Sequence, residues 1–185
     1  MFIDIAGGGV IYVLVSLIFG VKFDWLNLFW GVFCVFPGSD LDLLYFFPFR
    51  KKLKLTTHHF IHFPLIFLPV WFLAGFWWDG LYGAAIAFTG ATFHLVHDTF
   101  EPAEKKSGIQ WLRPIRKNLY YFDKGRLHIL PYQEWREYLE ELKKGIEKRS
   151  ERDEIMSRME WPGKKTYTFL VVSTLLLGFH YWISH

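Results

Sequence analysis

The chain has 185 residues, 52% of them apolar, 21% aromatic and 21% charged, with a formal net charge of +3 at pH 7. Soluble domains hold about 45–50% apolar residues, so the average excludes little by itself. So small a charge argues against a nucleic-acid partner, and the lone cysteine, Cys34, excludes an intrachain disulfide.

A helix needs about 20 mostly apolar residues to cross the ~30 Å hydrocarbon core. Ile5 to Val21 meets this first, and without a basic start or a small-residue cleavage signature it reads as an anchor rather than a signal peptide. Trp25 to Phe49 is interrupted by Pro37, Gly38, Asp40 and Asp42. Proline removes a backbone donor, so this span is expected to break or end near Pro37. Phe60 to Trp78 and Leu81 to His97 form a predicted helical hairpin with Trp77-Trp78-Asp79-Gly80 at its tip. Thr99 to Lys165 is the one sizeable polar segment, and at fewer than about 70 residues it builds only a marginal core alone. Within it, Gln133 to Glu160 spaces Trp135, Tyr138, Leu139, Leu142, Ile146, Ile155 and Met159 at helical period. That amphipathic helix either packs one stripe on the domain or the lipid surface, or recruits a protein partner as a coiled coil. Thr166 to Ile183 closes the chain with a last span. The expected fold is therefore all-α: a polytopic membrane bundle of about five spans with a short cytoplasmic helical segment. Its expected divisions are residues 1–99, 100–165 and 166–185.

Of the 21 Lys and Arg, all but Lys22 fall in Arg50 to Lys54 or between Lys105 and Lys165. Loops on the cytoplasmic side are enriched in these residues. The two basic segments bracket the hairpin, so both are expected inside an inner (cytoplasmic) membrane, with the N-terminus inside and the hairpin tip and C-terminus outside.

Carboxylates and imidazoles within spans are rare, because a central Asp costs about 2.5–3.5 kcal/mol on insertion scales. Asp40, Asp42, His58, His59, His62, His94, His97 and Asp98 need an explanation, and the expected topology brings all of them to the cytoplasmic end. On a helix, His62 projects between His58 and His59, and His94 between His97 and Asp98. Imidazole nitrogen and carboxylate oxygen together suit zinc, manganese or iron. Without a metal, the same residues would form a proton relay or ion-pair network. Asp4 starts the first span on this side and either reaches the cluster or stands apart from it. His128, His180, His185, Asp24 and Asp79 are expected to have no part in the site.

These blocks resemble those of the YdjM-like inner-membrane proteins, a family described as metal-dependent hydrolases with remote similarity to zinc-dependent phospholipase C. Pro37-Gly-Ser-Asp40-Leu-Asp42 is similar to the family's Pro-Asp-x-Asp element, and His58-His59-Phe-Ile-His62 to its His-Arg-x-x-Thr-His-Ser element. His94-Leu-Val-His97-Asp98 resembles its His-x-x-x-Asp element, and Gly108-Ile-Gln-Trp-Leu-Arg-Pro114 the Gly-to-Pro stretch after it. The motif Arg is absent, Ile61 and Phe63 replace the Thr and Ser around His62, Thr57 stands at the spacing of the upstream histidine, and an N-terminal histidine is missing. The resemblance implies Asp40, Asp42, His62, His94 and Asp98 as metal ligands, with His58 or His59 as a further one. It leaves His97 either supporting the ligands from behind or acting as a general base, and Asp40 as a candidate for catalysis as well as ligation. The expected function is a membrane-embedded hydrolase using a divalent metal, zinc before manganese or iron, on a phosphoester or lipid-linked substrate. The alternative is a non-enzymatic membrane protein whose metal or proton site organises helices or senses conditions.

Overall fold

The computed structural model describes residues 2–36, 63–100, 109–113, 115–123, 125–137 and 164–185. The chain divides into two compact units. One gathers the N-terminal segment, residues 64–97 and the C-terminal helix; the other contains Phe63 and the stretch from Asp98 through residue 137.

In the first unit, α1 (Phe2–Phe19) stops at Gly20, whose φ of 66° is left-handed. Val21 N–H donates to Ser16 O at 2.9 Å and Gly20 N–H to Leu17 O at 3.3 Å, the paired bonds that satisfy a helix end closed by glycine. Helix α2 (Trp25–Val35) is capped by Asp24, whose carboxylate accepts from Asn27 N–H at 2.8 Å. It ends at Phe36, which is extended because the residue before a proline is sterically excluded from the helical region. The break expected near Pro37 is therefore present. At about 16 Å, α2 alone is too short to cross a bilayer; residues 37–49 of the expected span lie outside the described residues.

Helix α3 (Pro64–Phe100) is folded in two at Asp79 and Gly80, the latter with φ 55°. Gly75 and Gly83 approach so closely that a Cβ on either would meet the other's carbonyl oxygen. Eight residues apart on one straight helix they would be about 12 Å distant, so the limbs 64–78 and 81–100 form the antiparallel hairpin expected from the sequence. Helix α4 (Lys164–Ser184) completes the unit.

Three consecutive glycines make α1 the hub. Successive helical residues point about 100° apart, so each serves a different neighbour: Gly7 meets the Phe93 ring of α3, Gly8 the Val32 and Gly31 backbone of α2, and Gly9 the Ser173 and Leu177 side chains of α4. The contacts also set direction. Asp4 with His97 and Ser16 with Tyr82 make the second limb of α3 antiparallel to α1. Ala6 with Ser173 and Tyr12 with His180 make α4 parallel to it. The α1 N-terminus, the end of the second α3 limb and the beginning of α4 therefore share one end, while Asp24, Asp79 and Ser184 lie at the other.

Two described helices, Pro64–Phe100 and Thr166–Ser184, are long and apolar enough to cross a membrane, yet only 22% and 11% of their most apolar windows are buried within the molecule. A core helix of a soluble protein would bury most of such a surface. Exposed Leu73, Trp77, Leu81, Leu175 and Trp182 instead face outward, and this marks the protein as membrane-associated.

The chain is mostly helical, as expected, and the second unit adds one two-stranded hairpin that was not. Antiparallel strands β1 (Leu119–Asp123) and β2 (Arg126–Leu130) pair Leu119 with Leu130 through Asp123 with Arg126. Gly125, at φ 78°, supplies the left-handed residue that the turn requires. Ile109 bridges to Tyr120, and Ile109, Leu119 and Leu130 are buried. The runs Leu-Tyr-Tyr-Phe and Leu-His-Ile-Leu are rich in aromatic and branched side chains suited to strands. Residues 132–137 are helical; the rest of the expected amphipathic helix lies outside the described residues.

Candidate functional site

Asp4 lies in the first turn of α1, where a carboxylate suits the positive end of the helix dipole. His94 and His97, one turn apart on α3, share a face, and the antiparallel approach of that limb brings them to Asp4. His97 Nδ1 is 3.0 Å from Asp4 Oδ1, and His94 Nδ1 is 4.0 Å from the same oxygen. Asp4 is 4% exposed and His94 2%, whereas the His97 side chain keeps 24% of its surface accessible. The His97 ring also stacks on Phe93, which stacks in turn on Phe169 of α4, with interplanar angles of 12° and 9°. A column of rings from two helices thus fixes the plane of the imidazole, and the carboxylate fixes its rotation.

With neutral His97 donating its Nδ1 proton to Asp4, the lone pair sits on Nε2. A nitrogen of this kind can accept a proton or bind a metal. His94 is too far from Asp4 for the same bond.

A tetrahedral zinc with bonds of 2.0–2.1 Å sets neighbouring donors about 3.3 Å apart. The Asp4 to His97 distance is within this edge, but that from Asp4 to His94 exceeds it. Among the described residues, no group of three or more His, Cys, Asp or Glu is arranged to hold a metal. The donors are right in kind, but Asp4, His94 and His97 alone do not close around an ion. Asp40, Asp42, His58, His59 and His62 lie outside the described residues. Asp98 follows His97 at the end of α3 and belongs to the second unit. The structure thus draws together His94, His97 and Asp4, the last left open by the sequence.

The opposite end carries a second polar cluster. Ser16 Oγ and Tyr82 Oη are 2.7 Å apart in the interior, and Tyr12 Oη accepts from Asp24 N–H at 2.6 Å. His180, expected to be an uninvolved terminal residue, is 2% exposed; its ring meets those of Tyr12 and Phe23. Asn27 donates to Asp79 at 3.2 Å and accepts from Trp78 at 3.0 Å, tying the hairpin tip to the start of α2. These contacts fasten the helix ends to one another. No protein-family model, curated protein or solved structure matches this chain.

Proposed function

We propose that this chain is a multi-pass protein of the inner membrane that hydrolyses a phosphoester, soluble or lipid-linked, with a divalent metal at the cytoplasmic end of its helix bundle. The observation that carries the reading is the burial of Asp4 against His94 and His97 within apolar helices. Ionisable groups in such surroundings are costly and commonly serve function. Asp40, Asp42, His58, His59 and His62 lie outside the described residues and enter this reading through their sequence resemblance alone. The similarity of these blocks to the YdjM-like proteins supports a shared site, with zinc favoured over manganese or iron. Alternating helix directions support an inside N-terminus and an outside C-terminus, in keeping with the positions of the basic segments.

In this reading Asp4 orients His97, whose Nε2 takes the proton of the attacking water, and His94 lies beside them as a candidate metal donor. A bound divalent ion supplies Lewis-acid charge and a more acidic water. The ring column holds His97 in place through the reaction.

Detergent-purified full-length protein, loaded with zinc or manganese, should turn over a member of a panel of phospholipids and soluble phosphoesters. Chelator should abolish the activity, and Asp40→Asn and Asp4→Asn should reduce it about 100-fold or more, the lower range for losing a general base or its orienter. No turnover across the panel, or turnover unchanged by both substitutions, would end the hydrolase assignment. The 3.0 Å Asp4 to His97 pair favours the second reading in that event: a non-enzymatic proton or ion-pair network joining α1 to α3.

A further inference from the structure

We infer that the indoles of Trp25, Trp77 and Trp182 anchor one end of the helical unit in the headgroup layer of a bilayer, and so hold the Asp4–His97 pair near the opposite interface. The inference rests on the membrane reading above and is independent of the hydrolase assignment.

The three tryptophans come from separate elements. Trp25 opens α2, Trp77 stands just before the fold of α3 at Asp79 and Gly80, and Trp182 lies in the last turn of α4. Hydrogen bonds gather these places at one level. Phe23 N–H donates to Ser184 Oγ at 3.0 Å, joining the entry of α2 to the end of α4. Trp78 Nε1–H donates to Asn27 Oδ1 at 3.0 Å, joining the hairpin tip to the first turn of α2. The rings of Trp25, Trp77 and Trp182 nevertheless stay outside the packing, at 70%, 89% and 74% exposure.

The surface on either side of the rings identifies what covers them. Toward the Asp4 end it is apolar: exposed Leu73 lies one turn from Trp77 on the same helix face, and exposed Phe179 and Leu175 lie one and two turns from Trp182. Beyond the rings stand Lys22, Asp24 and Asp79, all exposed. The indoles therefore continue the lipid-facing surface up to its border with charge. An apolar ring body with one N–H donor is the combination favoured at a membrane–water interface.

Helix rise converts this anchor into a depth. Thr166 to Trp182 on α4, and Leu81 to His97 on the second limb of α3, each extend about 24 Å at 1.5 Å per residue. The hydrocarbon core is ~30 Å thick. With the three rings at one boundary, His97 and its partner Asp4 lie within about 6 Å of the other, well away from the midplane. The accessible edge of His97 then opens at the headgroups of the second leaflet.

The test uses full-length protein in vesicles of phosphatidylcholine whose acyl chains carry bromine near either the carboxyl or the methyl end. Subtracting the emission of the triple variant Trp25→Phe, Trp77→Phe and Trp182→Phe from that of the parent isolates the three indoles. Bromine near the carboxyl end should quench this difference about twofold more than bromine near the methyl end. A second measurement leaves every tryptophan in place. In a Cys34→Ala background, a nitroxide is attached through Leu81→Cys, Phe88→Cys or Val96→Cys, all exposed positions of one α3 limb. Collisions with a water-soluble nickel chelate should rise from position 88 toward both 81 and 96, which are about 22 Å apart. Equal quenching from both bromine depths, indoles that lipid does not quench, as for rings covered by a second copy of the chain, or a nitroxide deeper at 96 than at 88 would overturn the inference. Release of the unlabelled parent from the vesicles by alkaline carbonate would overturn the membrane reading itself.

Discussion

Gly8→Ala is the sharpest test of how the bundle is built. A Cβ at Gly8 would lie 2.5 Å from Val32 Cα and 2.8 Å from Gly31 O. Both are backbone atoms of α2, so no side-chain rotation relieves the clash, and α1 and α2 must separate by about 1 Å to restore ordinary contact. Overpacking of this kind costs about 1–3 kcal/mol, while replacing a helical glycine by alanine returns about 1 kcal/mol. We therefore expect a net loss of up to about 2 kcal/mol. Gly178→Ala supplies the control: nothing lies within 4 Å of its Cβ position, so only the helix gain of about 1 kcal/mol remains. Equilibrium unfolding in mixed micelles, followed by the near-ultraviolet circular dichroism of the packed aromatic rings, would place Gly8→Ala below the parent and Gly178→Ala at or above it. Equal stability of the two variants would refute the hub role of α1.

Gly7→Ala should act differently, because the added methyl meets the Phe93 ring, which stacks on His97; activity should fall more than stability, measured on the same preparation. Tyr82→Phe should cost about 1 kcal/mol by leaving buried Ser16 without its 2.7 Å partner, and a shift smaller than a few tenths would remove that bond from the account. In a Cys34→Ala background, Lys52→Cys should be labelled from the cytoplasmic side, and Gly80→Cys and His185→Cys from the other; labelling of positions 52 and 80 from one side would dismantle the proposed topology. Elemental analysis should find a divalent transition metal in the purified protein, with most of it lost from His94→Ala and Asp98→Ala; equal content in parent and variants would exclude both as ligands.

Much of the helical layout is legible in the sequence because its causes are local. Pro37 forces Phe36 to be extended, so α2 ends at Val35 whatever surrounds it. Asp79-Gly80 turns the apolar stretch back on itself because Gly80 accepts a positive φ. The hairpin turn at Gly125 had a local signal as well, but the helical spacing downstream of Gln133 masked the two short strands before it. The three-residue intervals of His94 and His97 were enough to place them on one face. Tertiary structure decided what depends on residues far apart in the chain. That Gly7, Gly8 and Gly9 each admit a different helix cannot be read from three identical letters, since the neighbours come from residues 93, 31–32 and 173–177. Terminal position concealed the burial of His180, which follows from α4 running parallel to α1. Asp4 was a lone carboxylate in the sequence; it acquired partners only when the antiparallel limb of α3 brought His97 within 3.0 Å. Periodicity specifies the face a residue occupies on its own helix, whereas the residue opposite it is chosen by the packing of the whole bundle.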